Sequence, residues 1–293
     1  MTVGVLVMAY GTPRDRDDIE AYYTDIRRGR TPPPDLLADL IRRYDAIGGT
    51  FPLRAITDAQ IAALASALGP SYAVTLGTKH SAPRIEDGVE TLVAQGVSRI
   101  VGLVLAPHYS RLSVGGYRER LEEALAGRAD LVLVESWHDD PAFVEVLAER
   151  VRGTGAWVVF TAHSLPERIL AEGDPYREQL LDTARLVAER AGLERWSLAF
   201  QSASATGERW LGPDVLDELD RLENDGVEAV LAEPIGFVSD HLEILWDLDI
   251  EARERAGELG LEWARTASLN DEPAFVKALA AIVRKATTVR SAA

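Results

Sequence analysis

Three groups of residues have the types and spacing needed for chemistry. His163 follows a short apolar run, Trp157-Val158-Val159-Phe160, and Pro166 cannot continue a central strand. The imidazole is therefore released at the carboxyl end of a buried strand, the edge where open α/β sheets bind ligands. An imidazole there can accept a proton or hold a metal. The second group is Glu243, Asp247 and Glu251, spaced i, i+4, i+8 so that one helix face carries three carboxylates. Such a face costs a little helix stability, and it suits the passage of a hydrated divalent cation. The third group is Arg27-Arg28-Gly29-Arg30, whose guanidinium forks fit carboxylates or phosphates.

These residues need a frame, and the chain supplies the same frame twice. An apolar run over 3–8 leads into Ala9-Tyr10-Gly11-Thr12-Pro13, which aligns with Ala162-His163-Ser164-Leu165-Pro166 and sets Tyr10 opposite His163. Three more pairs keep the order: His80-Ser81-Ala82 with Gln201-Ser202-Ala203, Gly96-Val97 with Gly226-Val227, and Asp140-Pro141-Ala142-Phe143-Val144 with Glu272-Pro273-Ala274-Phe275-Val276. Four matches in register indicate a duplicated domain. If the halves close on one another, Tyr10 and His163 meet across a cleft.

Strands are expected over 72–76, 99–105 and 131–135 in the first half, and over 157–160, 196–200, 229–232 and 261–265 in the second. Helices are expected over 14–28, 34–44, 57–68, 84–95, 116–126, 176–191, 213–224 and 240–256. Strand and helix in alternation imply an α/β fold of two similar Rossmann-like domains, each a parallel sheet flanked by helices. The domains are expected over 1–140 and 141–270, with a last helix in 271–293 packing back on the first.

Bulk properties exclude several function classes. A net charge of −16 over 293 residues argues against general affinity for nucleic acid or anionic membranes. The absence of cysteine excludes disulfides, thiolate zinc sites and a cysteine-ligated iron–sulfur cluster. No segment reaches the roughly 20 apolar residues of a membrane span, and the N-terminus does not read as a secretory signal. A cytoplasmic protein without a membrane anchor is expected. No Walker loop, Gly-x-Gly-x-x-Gly after a strand, zinc-helix histidine pair or Gly-x-Ser-x-Gly elbow occurs.

Five ordered motifs carry a resemblance: Leu6 to Pro13, Tyr22-Tyr23 to Arg30, Ala162 to Pro166, Trp210-Leu211-Gly212-Pro213-Asp214, and Gly236-Phe237-Val238-Ser239-Asp240-His241-Leu242-Glu243. Over essentially the whole chain the sequence resembles the ferrochelatases, most closely the bacterial coproporphyrin III type. The resemblance implies two Rossmann-like domains around a porphyrin cleft and insertion of Fe²⁺ into coproporphyrin III in haem biosynthesis. His163 and Glu243 match the pair beside the porphyrin centre, with neutral His163 and Glu243 as proton acceptors. Tyr10 matches the residue that approaches the product iron from the other face, and Asp247 and Glu251 match an acidic stripe for metal delivery. Arg27, Arg28, Tyr44, Lys79 and Ser202 fall at positions of the porphyrin cleft, and His80 completes a Lys-His pair there. Porphyrin and Fe²⁺ are the implied substrates, with no tightly bound cofactor. A monomer is expected, with haem-pathway enzymes as transient partners.

Departures from the family pattern affect propionate recognition: Phe51 stands where relatives have Ser, and Ala203 and Ala205 make a loop less polar. Alternatives are action on protoporphyrin IX, a cobalt or nickel chelatase for another tetrapyrrole, and a non-catalytic tetrapyrrole carrier.

Overall fold

Two strands set the frame. β1 (Val3–Ala9) and β5 (Trp157–His163) are apolar on both faces and buried along nearly all their length. That is the pattern of a central strand in a parallel sheet covered on both sides. The computed structural model describes residues 2–204 and 207–288, and Ala205 lies outside them. Among the described residues β1 lies in a parallel sheet of order β2-β1-β3-β4, with β2 (Tyr72–Thr78), β3 (Arg99–Val104) and β4 (Asp130–Val134). β5 lies in a second sheet of order β6-β5-β7-β8, with β6 (Trp196–Gln201), β7 (Ala229–Glu233) and β8 (Glu262–Arg265).

The two orders are identical, as a duplicated α/β domain requires. In each half the chain leaves the first strand for a neighbour on one side, then returns for a neighbour on the other. The switch point lies at the carboxyl ends of β1 and β5, where Tyr10 and His163 emerge.

Local sequence explains the helix starts. The first half has α1 (Ile19–Ile26), α2 (Pro34–Ala46), α3 (Pro52–Leu68), α4 (Ile85–Ala94) and α5 (Gly116–Leu125). Pro34 and Pro52 open α2 and α3, where proline loses no helix hydrogen bond. For that reason α3 begins five residues before the expected 57. The helix expected from 14 instead begins as a 3₁₀ turn over Arg16–Asp18, because the Asp15 carboxylate accepts the backbone N–H groups of Asp17 and Asp18.

The second half has α6 (Pro141–Val151), α7 (Arg168–Ala171), α8 (Tyr176–Ala191), α9 (Val215–Asn224), α10 (Arg253–Leu259) and α11 (Pro273–Thr288). α11 packs against α3, α6, β3 and β4. One cluster of buried apolar side chains runs through both halves, joining Val5 and Val101 to Phe143, Val158, Phe160 and Phe275.

The acidic helix expected over 240–256 departs from a simple α-helix. It is a π-helix over Ile244–Ala252 that passes into α10. A shorter π-helix, Arg111–Gly115, holds the corresponding place after β3. With i→i+5 bonding each turn takes more residues than in an α-helix, so the spacing of four drifts around the axis.

Candidate functional site

His163 ends β5, and its Nδ1 donates to the Ser164 carbonyl. Its Nε2 lies 3.6 Å from Glu243 Oε1, on the residue that precedes the π-helix. The other carboxylate oxygen, Oε2, lies 3.5 Å from His241 Nε2, while His241 Nδ1 donates to the Ser239 carbonyl at 2.9 Å. In each imidazole both nitrogens therefore face acceptors, which favours the doubly protonated ring. The three side chains are recessed in the cleft, with His163 and Glu243 keeping 32% and 37% of their side-chain exposure.

Burial opposes the charge on His163, but the Glu243 carboxylate outweighs it and raises the imidazole to about 9. His241 is raised by the same competition. Burial alone would raise Glu243, yet the two imidazoliums hold it far below the usual carboxylate range. The surroundings of His163 thus favour the imidazolium beside the Glu243 carboxylate, whereas the sequence reading took the ring as neutral.

The loop carrying this group is fixed from both domains. The Asp240 carboxylate accepts from Ser268, Asn270 and Arg265, and its N–H donates to Asn270 Oδ1. From α3, buried Gln60 donates to Ser239 Oγ at 2.9 Å and to the Asn270 carbonyl at 2.8 Å. Gly236 starts the loop directly over β5, where a Cβ would lie 2.6 Å from Ala162 Cβ and 2.8 Å from Ala162 Cα. Neither atom belongs to a flexible side-chain tip. Gly236→Ala should therefore cost about 1–3 kcal/mol and displace Glu243, which thermal unfolding and an activity assay on one preparation would check.

The opposite wall belongs to the first domain. Tyr10, 44% exposed, packs on the His80 ring with centroids 4.6 Å apart. His80 Nδ1 donates to Asp25 at 2.8 Å, and Arg84 clamps that carboxylate through both oxygens. Burial lowers His80, which favours the neutral ring, and with Nδ1 donating the lone pair then lies on Nε2. Burial, then the charges of Glu243 and Asp25, raise the Tyr10 phenol; burial also raises Tyr22, Tyr44 and Tyr176, with the Glu243 charge adding to each. Tyr10 and the His163–Glu243 pair thus share one electrostatic neighbourhood.

Tyr44 is buried, paired with the Thr12 hydroxyl and pushed up to about 12 by burial. Phe51 stacks on it with centroids 4.5 Å apart, extending an aromatic wall where a hydroxyl was expected from relatives. Lys79 Nζ lies 5.1 Å from the Tyr117 ring centre; burial and then nearby Arg120 lower it, with Arg28 adding to the effect. Arg27 sits at the end of α1 over the Tyr23 ring, and its buried Nε has no partner. Ser202, expected with the porphyrin wall, turns its hydroxyl to the Asp247 carboxylate on the acidic side. Asp247 is raised to about 7 by burial and by Glu243, and Glu251 lies beside it on the wall of one small cavity.

A family model for ferrochelatase matches residues 2–287. The chain belongs to the ferrochelatase family. It is 44% identical over 296 residues to the ferrochelatase of Herpetosiphon aurantiacus, covering 95% of this chain and 97% of that one. It is 45% identical over 299 residues to the coproporphyrin III ferrochelatase of Anoxybacillus flavithermus, covering 96% and 95%. Among solved structures, SirB from Bacillus subtilis with Fe³⁺ superposes with a TM-score of 0.62 at 14% identity, over 98% of this chain and 96% of that one. That likeness concerns the fold alone.

Within this ferrochelatase cleft the sequence reading missed two residues. His241 stands only two positions before Glu243, a spacing that does not place two side chains on one helix face. It meets Glu243 because the chain turns just before the π-helix. Gln201 was read only as a partner of His80 in the repeat, yet its amide donates to the Glu243 carbonyl at 3.1 Å and to Asp247 at 3.2 Å.

Proposed function

We propose that the protein inserts Fe²⁺ into coproporphyrin III, releasing the two pyrrole N–H protons, as a cytoplasmic step of haem biosynthesis. The observation that carries this reading is the Glu243 carboxylate held between two imidazoles, with a phenol on the facing wall. The macrocycle occupies the cleft between Tyr10 and His163. Arg27, Arg28 and Lys79 attract its propionates, while Tyr44 and Phe51 supply an aromatic wall. Relatives named coproporphyrin III ferrochelatase support this substrate. So does a cationic rim within an acidic chain, because four propionates make a tetra-anion.

A planar porphyrin points its nitrogens inward, so the cleft must bend the ring before they can release protons or accept a metal. Glu243 carries its charge but, between two imidazoliums, is a weak base, so proton acceptance falls to the imidazole. His163 must first release its own. A divalent cation arriving beside Glu243 cancels the charge that holds His163 protonated, which frees Nε2 to ligate the metal or accept a pyrrole proton. Asp247 and Glu251 hand the hydrated cation toward Glu243, and Tyr10 supplies an oxygen ligand to the product iron from the other face. No tightly bound cofactor is required. Among the described residues no helix is long and apolar enough to cross a membrane.

Insertion of Fe²⁺, Co²⁺ and Ni²⁺ into coproporphyrin III and protoporphyrin IX tests the reading. The highest kcat/KM is expected for Fe²⁺ with coproporphyrin III. A higher value for protoporphyrin IX reassigns the substrate, and binding without turnover makes the protein a carrier.

A further inference from the structure

Tyr10 is left 44% exposed just past the end of β1, so burial does not fix the direction of its hydroxyl. Its support is the loop after β2. The His80 N–H donates to the Tyr10 carbonyl at 2.9 Å, and the two rings meet with centroids 4.6 Å apart. Gly11, at a φ of +95°, lets the two segments lie this close. A Cβ there would stand 2.5 Å from Ser81 Oγ and 3.0 Å from the Ser81 nitrogen. The Thr12 N–H donates to the same Ser81 hydroxyl at 3.3 Å.

That support is itself aimed by α1, where Tyr22 and Asp25 stand at i and i+3 on one face. The Tyr22 hydroxyl donates to the Gly11 carbonyl at 3.1 Å, and the Asp25 carboxylate accepts from His80 Nδ1 at 2.8 Å. One helix face thus grips both strands of the Tyr10 support. Arg84 donates to both Asp25 oxygens, a bidentate pair that fixes the carboxylate plane. It also donates to the Lys79 carbonyl at 2.9 Å, on the residue before His80. A carboxylate can only accept, so Nδ1 carries the proton, and the imidazole cannot turn without breaking that bond.

We propose that Asp25 is a positioning residue for Tyr10, acting through His80 to aim the phenol at the product iron. This rests on the reading of Tyr10 as an oxygen ligand and adds the group that sets the direction of that ligand. Asp25 holds the tautomer and plane of His80, and the His80 ring holds Tyr10 at a tilt of 56°. The carboxylate keeps 34% of its side-chain exposure, so its truncation opens no cavity in the core.

Iron(III) coproporphyrin III titrated into the parent protein, Tyr10→Phe, Asp25→Ala and the double variant tests this. Asp25→Ala should weaken binding roughly three- to tenfold, the scale of one charge-assisted hydrogen bond acting at one remove. It should also shift the visible spectrum of the bound product toward that of Tyr10→Phe. In the Tyr10→Phe background the same substitution should change nothing further, because its effect runs through the phenol. Asp25→Glu keeps the carboxylate and should return the spectrum toward the parent's. In the porphyrin-free protein, nitrogen NMR of the histidine rings should show the His80 proton on Nδ1, and Asp25→Ala should release it from that atom. Loss of the signal in His80→Gln identifies it. Additive losses in the double variant, an unshifted spectrum in Asp25→Ala, no recovery in Asp25→Glu, or an unmoved proton would each overturn the proposal. A Tyr10→Phe spectrum identical to the parent's would overturn the ligand reading first, so the two failures are told apart.

Discussion

Replacing His163 with alanine should lower Fe²⁺ insertion by about 10²–10⁴-fold and leave porphyrin affinity largely intact. In the proposed reading the ring is held by burial against Tyr44 and Phe51 and by the cations of the first domain, none of which depends on the imidazole. The rate depends on it twice, through proton transfer and through a metal ligand on the face opposite Tyr10. Fluorescence quenching by added porphyrin measures affinity, and insertion over a range of Fe²⁺ concentrations measures the rate. Near-native turnover, or parallel loss of binding and rate, would show that the role is wrongly assigned.

The second large effect is expected of Glu243→Gln. The substitution preserves shape but removes the charge that keeps His163 and His241 protonated against burial. It also removes the carboxylate that draws the cation to the His163 imidazole, so insertion should again fall by about 10²–10⁴-fold. The pH profile supplies an independent sign. In the parent protein His163 sits at about 9, so kcat/KM should rise with pH through the neutral and mildly alkaline range as the imidazole is released. In the variant only the Ser164 carbonyl and the Asp247 charge oppose burial, so His163 falls and the rising limb moves to more acid pH. A limb that stays in place would mean that Glu243 does not set the charge of His163.

The frame of this site was legible because strands buried on both faces cannot disguise themselves. Val3 to Met8 and Trp157 to Phe160 announce central strands, and the residue released after each is then a candidate by position alone. Spacing also exposed Glu243, Asp247 and Glu251, although a π-helix carries them rather than the α-helix the spacing suggested. What sequence could not show was charge state. Whether His163 is neutral depends on two acceptors, the Ser164 carbonyl and the Glu243 carboxylate, and the second lies eighty positions away in the chain. Arg43 is similar: on α2 it reads as an ordinary cation paired with Asp39, yet the packing of the two halves sets its Nη1 3.9 Å from Asp247 Oδ1.

The identical strand orders of the two halves have a consequence for recognising a flat molecule. Two copies of a half-sized protein, related by a two-fold axis, would present the same side chain to both faces of a ring bound on that axis. Joining the halves in one polypeptide releases that constraint, since each copy of the strand-end position can change alone. Here one copy has become a phenol backed by His80 and Asp25, and the other an imidazole backed by a carboxylate. A ring bound between them would meet chemically unlike sides, giving the reaction a direction in space that a symmetric pair could not provide.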